Sequence, residues 1–435
     1  MNNTEYKRRR KHLMQIMGQD AVAILPAALV RMRNRDAEFQ YRQDSDFHYI
    51  TGFDEPEAVA VLVPGRDHGE YILFCRENDK KMETWNGLRA GQDGAIEKYA
   101  ADDSFPIDDI DDILPGLLEN KEKVYYTMGV HPDFDQLIIK WVNRLRDQSR
   151  MGIHTPSEFV ALDHQLHDMR LYKSAAEVKV MRKAAQISAK AHIRAMQVCK
   201  PGIYEYQLEA ELLHSFMQQG ARFPAYSSIV GGGKNGCILH YVENSEILKS
   251  GDMVLIDAGA ELECYASDIS RSFPVNGKFS KEQRVLYDIV LAAQLAAIEQ
   301  IKPGNHWNDP HEAAINVITQ GLIDLGILKG KLATNIKKET YKDFYMHRTG
   351  HWIGIDVHDV GDYKVDGEWR VLEPGMVLTV EPGLYISADH EKVAKKWHNI
   401  GIRIEDDVLV TKDGYDILSK DVFKAPDEIE ALMAL

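Results

Sequence analysis

A repeated pattern in the C-terminal part of the chain constrains its fold more than any other feature. Lys200-Pro201-Gly202 and Lys302-Pro303-Gly304 each interrupt a helical pattern. Proline lacks an amide hydrogen and glycine tolerates the turn after a helix, so each triplet ends one helix and lets another begin. We expect the second helix of each pair to end near Gln219-Gly220 and Gln320-Gly321, respectively.

Each helix pair is followed by a strand-like segment, 253–257 in the first repeat and 376–381 in the second. The repeat therefore predicts two duplicated α+β halves of roughly 100–130 residues, within the usual size of a domain. Two such halves facing each other would form a cleft between them.

The N-terminal part of the chain has a different pattern. Apolar, strand-like runs at 22–25, 58–63 and 70–74 alternate with helical segments such as 137–145. Ser174 and Glu177 match a capping box that opens a long helix ending near residue 199. We therefore predict an α/β domain at 1–172 and the two α+β halves at 173–435.

Charge and composition exclude several classes of partner. The 435 residues include 67 acidic and 52 basic side chains, a formal charge of −15, which disfavours binding to nucleic acid or an anionic membrane. No apolar run reaches the ~18 residues of a membrane span, and no export signal follows the basic run 7–11, which we interpret as a solvated helix face. Four cysteines without a CxxC pair favour reduced thiols and a cytoplasmic location.

Two carboxylates in the first half point to a cation site. Asp257 ends a strand and Asp268 follows after a segment that can turn near Leu262-Glu263. A hairpin centred there would place the two acids opposite each other, which is destabilising unless a cation lies between them. Taken alone, the pair is better explained as two solvent-facing acids on a ribbon, and the second half of the repeat changes this interpretation.

The second half adds two carboxylates and several histidines. Glu381 ends a strand, and Glu405 shares a strand face with Arg403, with which it could pair. His347, His351 and His358 fall in one segment that we expect to be a loop entering a strand. Four carboxylates and an imidazole suit two divalent ions; manganese or cobalt fits best, and zinc is possible. Such a pair of ions lowers the pKa of a water molecule, which suits amide hydrolysis.

The strings that carry these residues resemble the pita-bread metallopeptidases, and most closely bacterial aminopeptidase P (Xaa-Pro aminopeptidase). They are Ile256-Asp257-Ala258-Gly259, Ser267-Asp268-Ile269-Ser270-Arg271, residues 347–361, residues 380–385 and residues 401–407. The segments 41–47 and 51–53 resemble that family's creatinase-like amino-terminal domain. The resemblance implies a pita-bread catalytic domain and the release of the first residue from peptides with proline in second position.

The resemblance also assigns roles to individual residues. The implied metal ligands are Asp257, Asp268, His351, Glu381 and Glu405. Glu381 would also carry a proton to the leaving nitrogen. The other implied catalytic or substrate-binding residues are His240 and His358 near the scissile carbonyl, His347 and Arg403 around the proline ring and the downstream chain, and Tyr385. The family further implies a homo-oligomer, a tetramer or a dimer, in which Trp85 and Asp36 of one subunit border the active site of another.

Some features leave alternatives open. Arg348 and Gly350 depart from the usual aminopeptidase P pattern, which has a small or apolar residue and a serine at these positions, so the substrate pocket could differ. Prolidase, which cleaves only Xaa-Pro dipeptides, is therefore the nearest rival, and a non-catalytic pita-bread binding protein is a more remote one. The glycine-rich segment 231–236 matches a dinucleotide-binding pattern, but we expect a strand at 237–241 where that motif requires a helix.

Overall fold

The computed structural model describes residues 1–434, which divide into two compact units, Met1–Met169 and a second unit that begins at Arg170. The helices that begin in the first unit are α1 (Asn3–Met17), α2 (Ser45–Thr51), α3 (Lys80–Asn86), α4 (Gly91–Tyr99), α5 (Ile110–Leu118), α6 (Pro132–Arg146) and α7 (Leu162–Leu171). The strands of the first unit are β1 (Ala21–Pro26), β2 (Val59–Leu62), β3 (Tyr71–Cys75), β4 (Asp103–Pro106), β5 (Lys123–Tyr125) and β6 (Glu158–Val160).

The six strands of the first unit form one mixed sheet in the order β4-β3-β2-β1-β5-β6. The central strand β1 is buried along almost its whole length, as its continuous apolar sequence predicts for a strand covered on both faces. Helix α6 packs its apolar stripe, which includes Ile138, Trp141 and Leu145, into the same core. The strands and the helix predicted in this part of the sequence are confirmed.

The prediction that the basic run of α1 is a solvated face was wrong for Arg9 and Arg10, whose side chains are buried. Arg9 donates to the main-chain oxygen of Tyr49 at 2.9 Å, and Arg10 donates to that of Ile50 at 3.0 Å. Both oxygens belong to the last turn of α2, where carbonyl groups lack partners within the helix and favour positive charge.

The second unit contains two sets of equivalent elements. Its helices are α8 (Ala175–Val198), α9 (Glu205–Gln218), α10 (Lys281–Ile298), α11 (Asp309–Asp324), α12 (Leu332–Lys337) and α13 (Pro426–Met433). Its strands are β7 (Phe223–Pro224), β8 (Ile229–Gly232), β9 (Met253–Asp257), β10 (Ala260–Leu262), β11 (Tyr265–Ala266), β12 (Ser270–Pro274), β13 (Lys364–Val365), β14 (Glu368–Trp369), β15 (Val377–Val380), β16 (Gly383–Ile386), β17 (Ile400–Arg403), β18 (Asp406–Val410) and β19 (Tyr415–Ile417).

The two halves repeat a helix pair followed by a small antiparallel sheet. Helices α8 and α9 precede the sheet β8-β9-β12, and helices α10 and α11 precede the sheet β15-β18-β19. The capping box of Ser174 and Glu177 opens α8 as predicted. Helix α11 continues past the predicted end near Gln320-Gly321, because Leu322 extends its buried stripe.

Three local predictions were wrong. In the β9–β12 pair, Asp257 lies opposite Ser270 rather than Asp268, because the hairpin tip falls one residue later than expected, at Glu263 and Cys264 with positive φ. Residues 237–241 form no strand, since a short 3-10 helix (Gly233–Cys237) ends there and a turn follows. The segment 347–358 enters no strand either, and its single β-bridge joins Trp352 to Leu378.

Candidate metal centre

A cavity of about 270 Å³ in the second unit, called here the central cavity, gathers most of the residues singled out by the sequence. It is lined by Leu239, His240, Asp257, Asp268, His347, Arg348, Gly350, His351, His358, Glu381, Arg403 and Glu405. All five expected ligands therefore face one space, together with three further histidines and two arginines.

Strand ends position the carboxylates. Asp257 is the last residue of β9, and Asp268 lies two residues before β12. Glu381 directly follows β15, and Glu405 lies between β17 and β18. Each acid has a buried apolar neighbour in the sequence, and its own side chain points the other way, out of the core and into the cavity. These neighbours are Ile256, Ile269, Val380 and Ile404.

Three of these side chains form a compact ligand group. One ligand atom from each of Asp268, His351 and Glu405 lies within 4.8 Å of the others. Nε2 of His351 is 3.3 Å from Oδ2 of Asp268 and 3.8 Å from Oε1 of Glu381. The hydroxyl of Tyr226 hydrogen-bonds to both Asp257 and Asp268 and so links the Asp257 carboxylate to the group.

The histidine of this group is held in the orientation that a metal ligand needs. Nδ1 of His351 lies 2.9 Å from the main-chain oxygen of Trp352, which can only accept a hydrogen bond. A ring proton is therefore placed on Nδ1, and Nε2, which faces the carboxylates, is the atom that would bind a metal ion. A second hydrogen bond of this kind is typical of metal-binding histidines.

The electrostatics of the cavity favour added positive charge. Burial raises the pKa of Glu381 to about 7, and burial together with the neighbouring acids raises the pKa values of Asp268 and Glu405. Burial opposes ionisation of Asp257 as well, but Arg403 lowers its pKa. Three carboxylates thus lack sufficient counter-charge from the protein, and the oxygen-rich donor set with one imidazole fits divalent cations.

Arg403 lines the cavity and contacts several of the residues around it. Its guanidinium donates to Asp257 at 2.6 Å, to the Tyr385 hydroxyl at 3.0 Å and to Oγ of Ser270 at 2.9 Å. Ser270 in turn donates to Glu405 at 2.7 Å. The direct pairing of Arg403 with Glu405 considered from the sequence was wrong, because Ser270 lies between them.

His347 lines the cavity, and Tyr385, which is buried and is not part of the lining, contacts both His347 and Arg403. Nε2 of His347 lies 2.8 Å from the Tyr385 hydroxyl. Burial lowers the pKa of His347 to about 3, with Arg403 adding to the effect, so its imidazole is neutral at physiological pH. Burial also lowers the pKa of His358, whose ring packs edge-on against that of His351.

Four contributors to the centre were missed in the sequence. Thr379 and Asp407 are partners across β15 and β18; the Thr379 hydroxyl accepts from the amide of His351 at 3.0 Å, and Asp407 accepts from that of Asp268 at 3.1 Å. The others are Tyr226 and Ser270. Ser270 lies inside the recognised string 267–271 and could have been found there, whereas nothing in the local sequence marks Tyr226.

The two residues expected to serve a neighbouring subunit lie in the first unit. The Trp85 side chain is 79% exposed, and Asp36 is also exposed. Most of the apolar surface of this indole is therefore not buried against other residues of the first unit.

The glycine-rich segment 231–236 has a packing explanation. A Cβ atom on Gly401 of β17 would lie 2.0 Å from the main-chain oxygen of Gly236, so the 3-10 helix and the strand that carries Arg403 touch through their backbones. No α-helix opens at this segment as a dinucleotide-binding motif requires. Gly350, which departs from the usual aminopeptidase P pattern, is also explained by packing. A Cβ atom at this position would lie 2.0 Å from the main-chain oxygen of Thr379.

Comparison with known families agrees with this arrangement. Residues 179–412 match the profile of metallopeptidase family M24, and residues 6–125 match that of the aminopeptidase P N-terminal domain. The chain is 45% identical over 434 residues to the Xaa-Pro aminopeptidase of Escherichia coli K12, covering 100% of this chain and 98% of the relative. The chain belongs to metallopeptidase family M24.

Solved structures of M24 relatives match the full length of the chain. The aminopeptidase PepP of Pseudomonas aeruginosa is 62% identical with a TM-score of 0.99, over 100% of this chain and 98% of that one. Proline aminopeptidase P II from Yersinia pestis is 47% identical with a TM-score of 0.96, over the whole of both chains. The predicted fold class, an amino-terminal α/β domain followed by a pita-bread domain, is confirmed.

Among residues 1–434, no helix is both long and apolar enough to cross a membrane.

Proposed function

We propose that this M24 metallopeptidase is an Xaa-Pro aminopeptidase, which releases the N-terminal residue from peptides with proline in second position. The observation that carries the proposal is the lining of the central cavity. It contains the five expected ligands together with three more histidines, and the ligands are Asp257, Asp268, His351, Glu381 and Glu405. The similarity to Xaa-Pro aminopeptidases over the full length of the chain supports the same substrate class.

The five ligands would hold two divalent ions, of which manganese suits the oxygen-rich set best and cobalt or zinc is possible. When bound, such a pair supplies Lewis acidity toward the scissile carbonyl and toward a water molecule. Four carboxylates would balance the four charges of the two cations, which agrees with the raised pKa values of Glu381 and Glu405. This balance is the chemical reason for preferring two ions to one.

The residues of the chain supply proton transfer and orientation. Glu381 lines the cavity beside His351 and would accept a proton and deliver it to the leaving proline nitrogen. His240 and His358 line the cavity and would donate hydrogen bonds to the oxyanion that develops on the scissile carbonyl. His347, Tyr385 and Arg403 would position the proline ring and the chain beyond it.

The proposal extends to the oligomeric state and the cellular location of the enzyme. We propose a homo-oligomer, a tetramer or a dimer, in which Trp85 and Asp36 border the active site of another subunit, and a cytoplasmic location in which the four cysteines stay reduced. The 79% exposure of Trp85 supports a partner at that surface. Light scattering of the purified chain and of Trp85→Ala tests the assembly: the variant should shift toward smaller species.

The deciding assay compares a dipeptide Xaa-Pro with a tripeptide Xaa-Pro-Xaa in the presence of manganese. We expect release of the first residue from the tripeptide. Cleavage of the dipeptide alone would identify a prolidase instead. Cleavage of neither, in a chain that binds manganese and remains folded, would favour a non-catalytic binding protein.

A further inference from the structure

A second and larger cavity adjoins the central cavity within the second unit. This cavity, called here the side cavity, has a volume of about 730 Å³ and lies against α11, α12 and the short 3-10 helix Thr340–Asp343. His347 and Arg348 line both cavities. The other polar groups of its wall include Asn308, Glu312, Lys337, Tyr341 and Lys342.

Only one part of a peptide substrate could fill the side cavity. An aminopeptidase leaves a single residue upstream of the scissile bond, whereas the chain downstream has no fixed length. A space of about 730 Å³ beside the central cavity therefore suits downstream residues. This step rests on the proposed aminopeptidase function.

Arg348 lines both cavities, and two contacts orient the guanidinium of this exposed side chain. Nη2 donates to Oδ1 of Asn308 at 2.5 Å, and the guanidinium lies 4.9 Å from the ring centre of Trp369. Asn308 in turn donates to Glu312 at 2.6 Å, so this acid interacts with Arg348 through an amide rather than in a direct ion pair. The arginine is thus oriented before any ligand arrives.

The charge of Arg348 is not neutralised by a direct partner. Among residues 1–434, no carboxylate lies within ion-pair distance of its guanidinium. Of the two lysines on the side cavity, Lys342 is paired with Glu339 at 2.8 Å. A planar guanidinium without an ion pair, held by an amide and an indole, matches the geometry of a carboxylate ligand.

We propose that Arg348 binds a carboxylate in the downstream part of the peptide, with the side cavity as the subsite for that part. The carboxylate is either the C-terminus of a short peptide or an acidic side chain of a longer one. The enzyme would then favour peptides that carry a negative charge beyond the proline.

The test compares matched peptides that differ only in charge. One arm uses Ala-Pro-Leu and Ala-Pro-Leu-Gly as free acids and as amides, and the other uses Ala-Pro-Glu-amide and Ala-Pro-Gln-amide. We expect kcat/KM to be about 5–20-fold higher for the charged member of at least one arm, mainly through KM, and the arm that responds identifies the source of the carboxylate. In Arg348→Gln this ratio should fall to about 1, and Arg348→Lys should keep part of it.

Lys364→Gln is the matched control. Lys364 also lies over the ring of Trp369, at 4.4 Å, but lines neither cavity. Its loss removes one positive charge beside the same indole and should leave the acid-to-amide ratio unchanged. The proposal is overturned if wild-type enzyme shows no preference in either arm, or if Arg348→Gln and Lys364→Gln change the ratio equally.

A binding measurement separates this proposal from the proposed function. Calorimetric titration of the manganese-loaded full chain with Pro-Leu-Gly, as free acid and as amide, needs no hydrolysis. Tighter binding of the acid that disappears in Arg348→Gln supports the carboxylate site even if no Xaa-Pro peptide is cleaved. Equal binding of acid and amide contradicts it, whatever the activity.

Discussion

The hydroxyl of Ser270 donates to the carboxylate of Glu405 at 2.7 Å and joins the two halves of the second unit at the candidate metal centre. Ser270 belongs to β12 of the first half, and Glu405 precedes β18 of the second. The same oxygen accepts from Nε of Arg403, so one small side chain orients both a proposed ligand and the arginine that faces it.

Replacing Ser270 by alanine should weaken metal binding. Loss of this hydroxyl leaves Glu405 without a donor that fixes its orientation, and such supporting contacts are commonly worth about 10–100-fold in metal affinity. Manganese affinity measured by calorimetry checks this. Ser272→Ala is the control, because Ser272 contacts only the main chain of Arg403. Equal losses in both variants would show that the contact to Glu405 has no special role.

Replacing Arg403 by leucine should destabilise the metal-free protein. Arg403 and Asp257 are almost buried and pair at 2.6 Å, and removing one partner of a buried pair leaves a charge uncompensated, at a cost of about 3–5 kcal/mol. Urea unfolding in the presence of a chelator measures the loss. The control Arg182→Leu breaks a partly exposed pair with Asp416 and should cost about 1 kcal/mol or less. A comparable loss in the control would contradict the interpretation.

Removing a carboxylate from the ligand group should abolish metal binding without unfolding the chain. In Asp268→Ala and Glu405→Ala we expect loss of activity and of bound manganese, and the rise in melting temperature that manganese gives the wild type should disappear. Elemental analysis and thermal unfolding with and without manganese test this. Full activity in either variant would refute the proposed site.

A buried ion network away from the metal centre should make stability depend on pH. Burial opposes ionisation of Asp359, but Lys173 at 2.9 Å and Arg170 at 2.6 Å lower its pKa. A lowered pKa in the folded state stabilises the protein above the unfolded value of about 4, and this stabilisation is lost as the pH falls through the folded value. Asp359→Asn should therefore cost about 3–5 kcal/mol at pH 7 and progressively less below pH 4.

The control for this network is Asp356→Asn. Asp356 also contacts Arg170, at 2.7 Å, but its side chain is 38% exposed, so its removal should cost about 1 kcal/mol or less. Urea unfolding of the metal-free variants across pH 3–7 gives the free energy of unfolding of each variant as a function of pH. A difference between wild type and Asp359→Asn that stays constant with pH would contradict the assignment.

Local patterns were sufficient to predict much of the fold. The capping box of Ser174 and the apolar runs of β1, β9 and β15 depend on neighbouring residues, and each was located from the sequence. The predictions were wrong where the structure depends on contacts between residues that are far apart in the sequence. Arg9 and Arg10 are buried because α2 presents carbonyl oxygens to them, and nothing within α1 indicates this.

The candidate site shows the same division. Asp257, Glu381 and Glu405 could be proposed because each lies at the end of a strand or directly beside one in a recognisable string. Tyr226 reaches Asp257 and Asp268 from outside those strings, and Asp407 acts on Asp268 across 139 residues of sequence. The register of β9 against β12 also depends on where the hairpin tip falls, and a shift of one residue in that tip moved the partner of Asp257 by two.

The backbone contact between Gly236 and Gly401 fixes how closely the two halves of the second unit approach each other beside the strand that carries Arg403. One glycine belongs to the first half and the other to the second, and no side chain separates them. The separation of the two halves at this point is thus set by main-chain atoms, and a side chain at position 401 would force the 3-10 helix and β17 apart. Such a change would also move Arg403, which lies two residues further along β17, and its contact with Asp257.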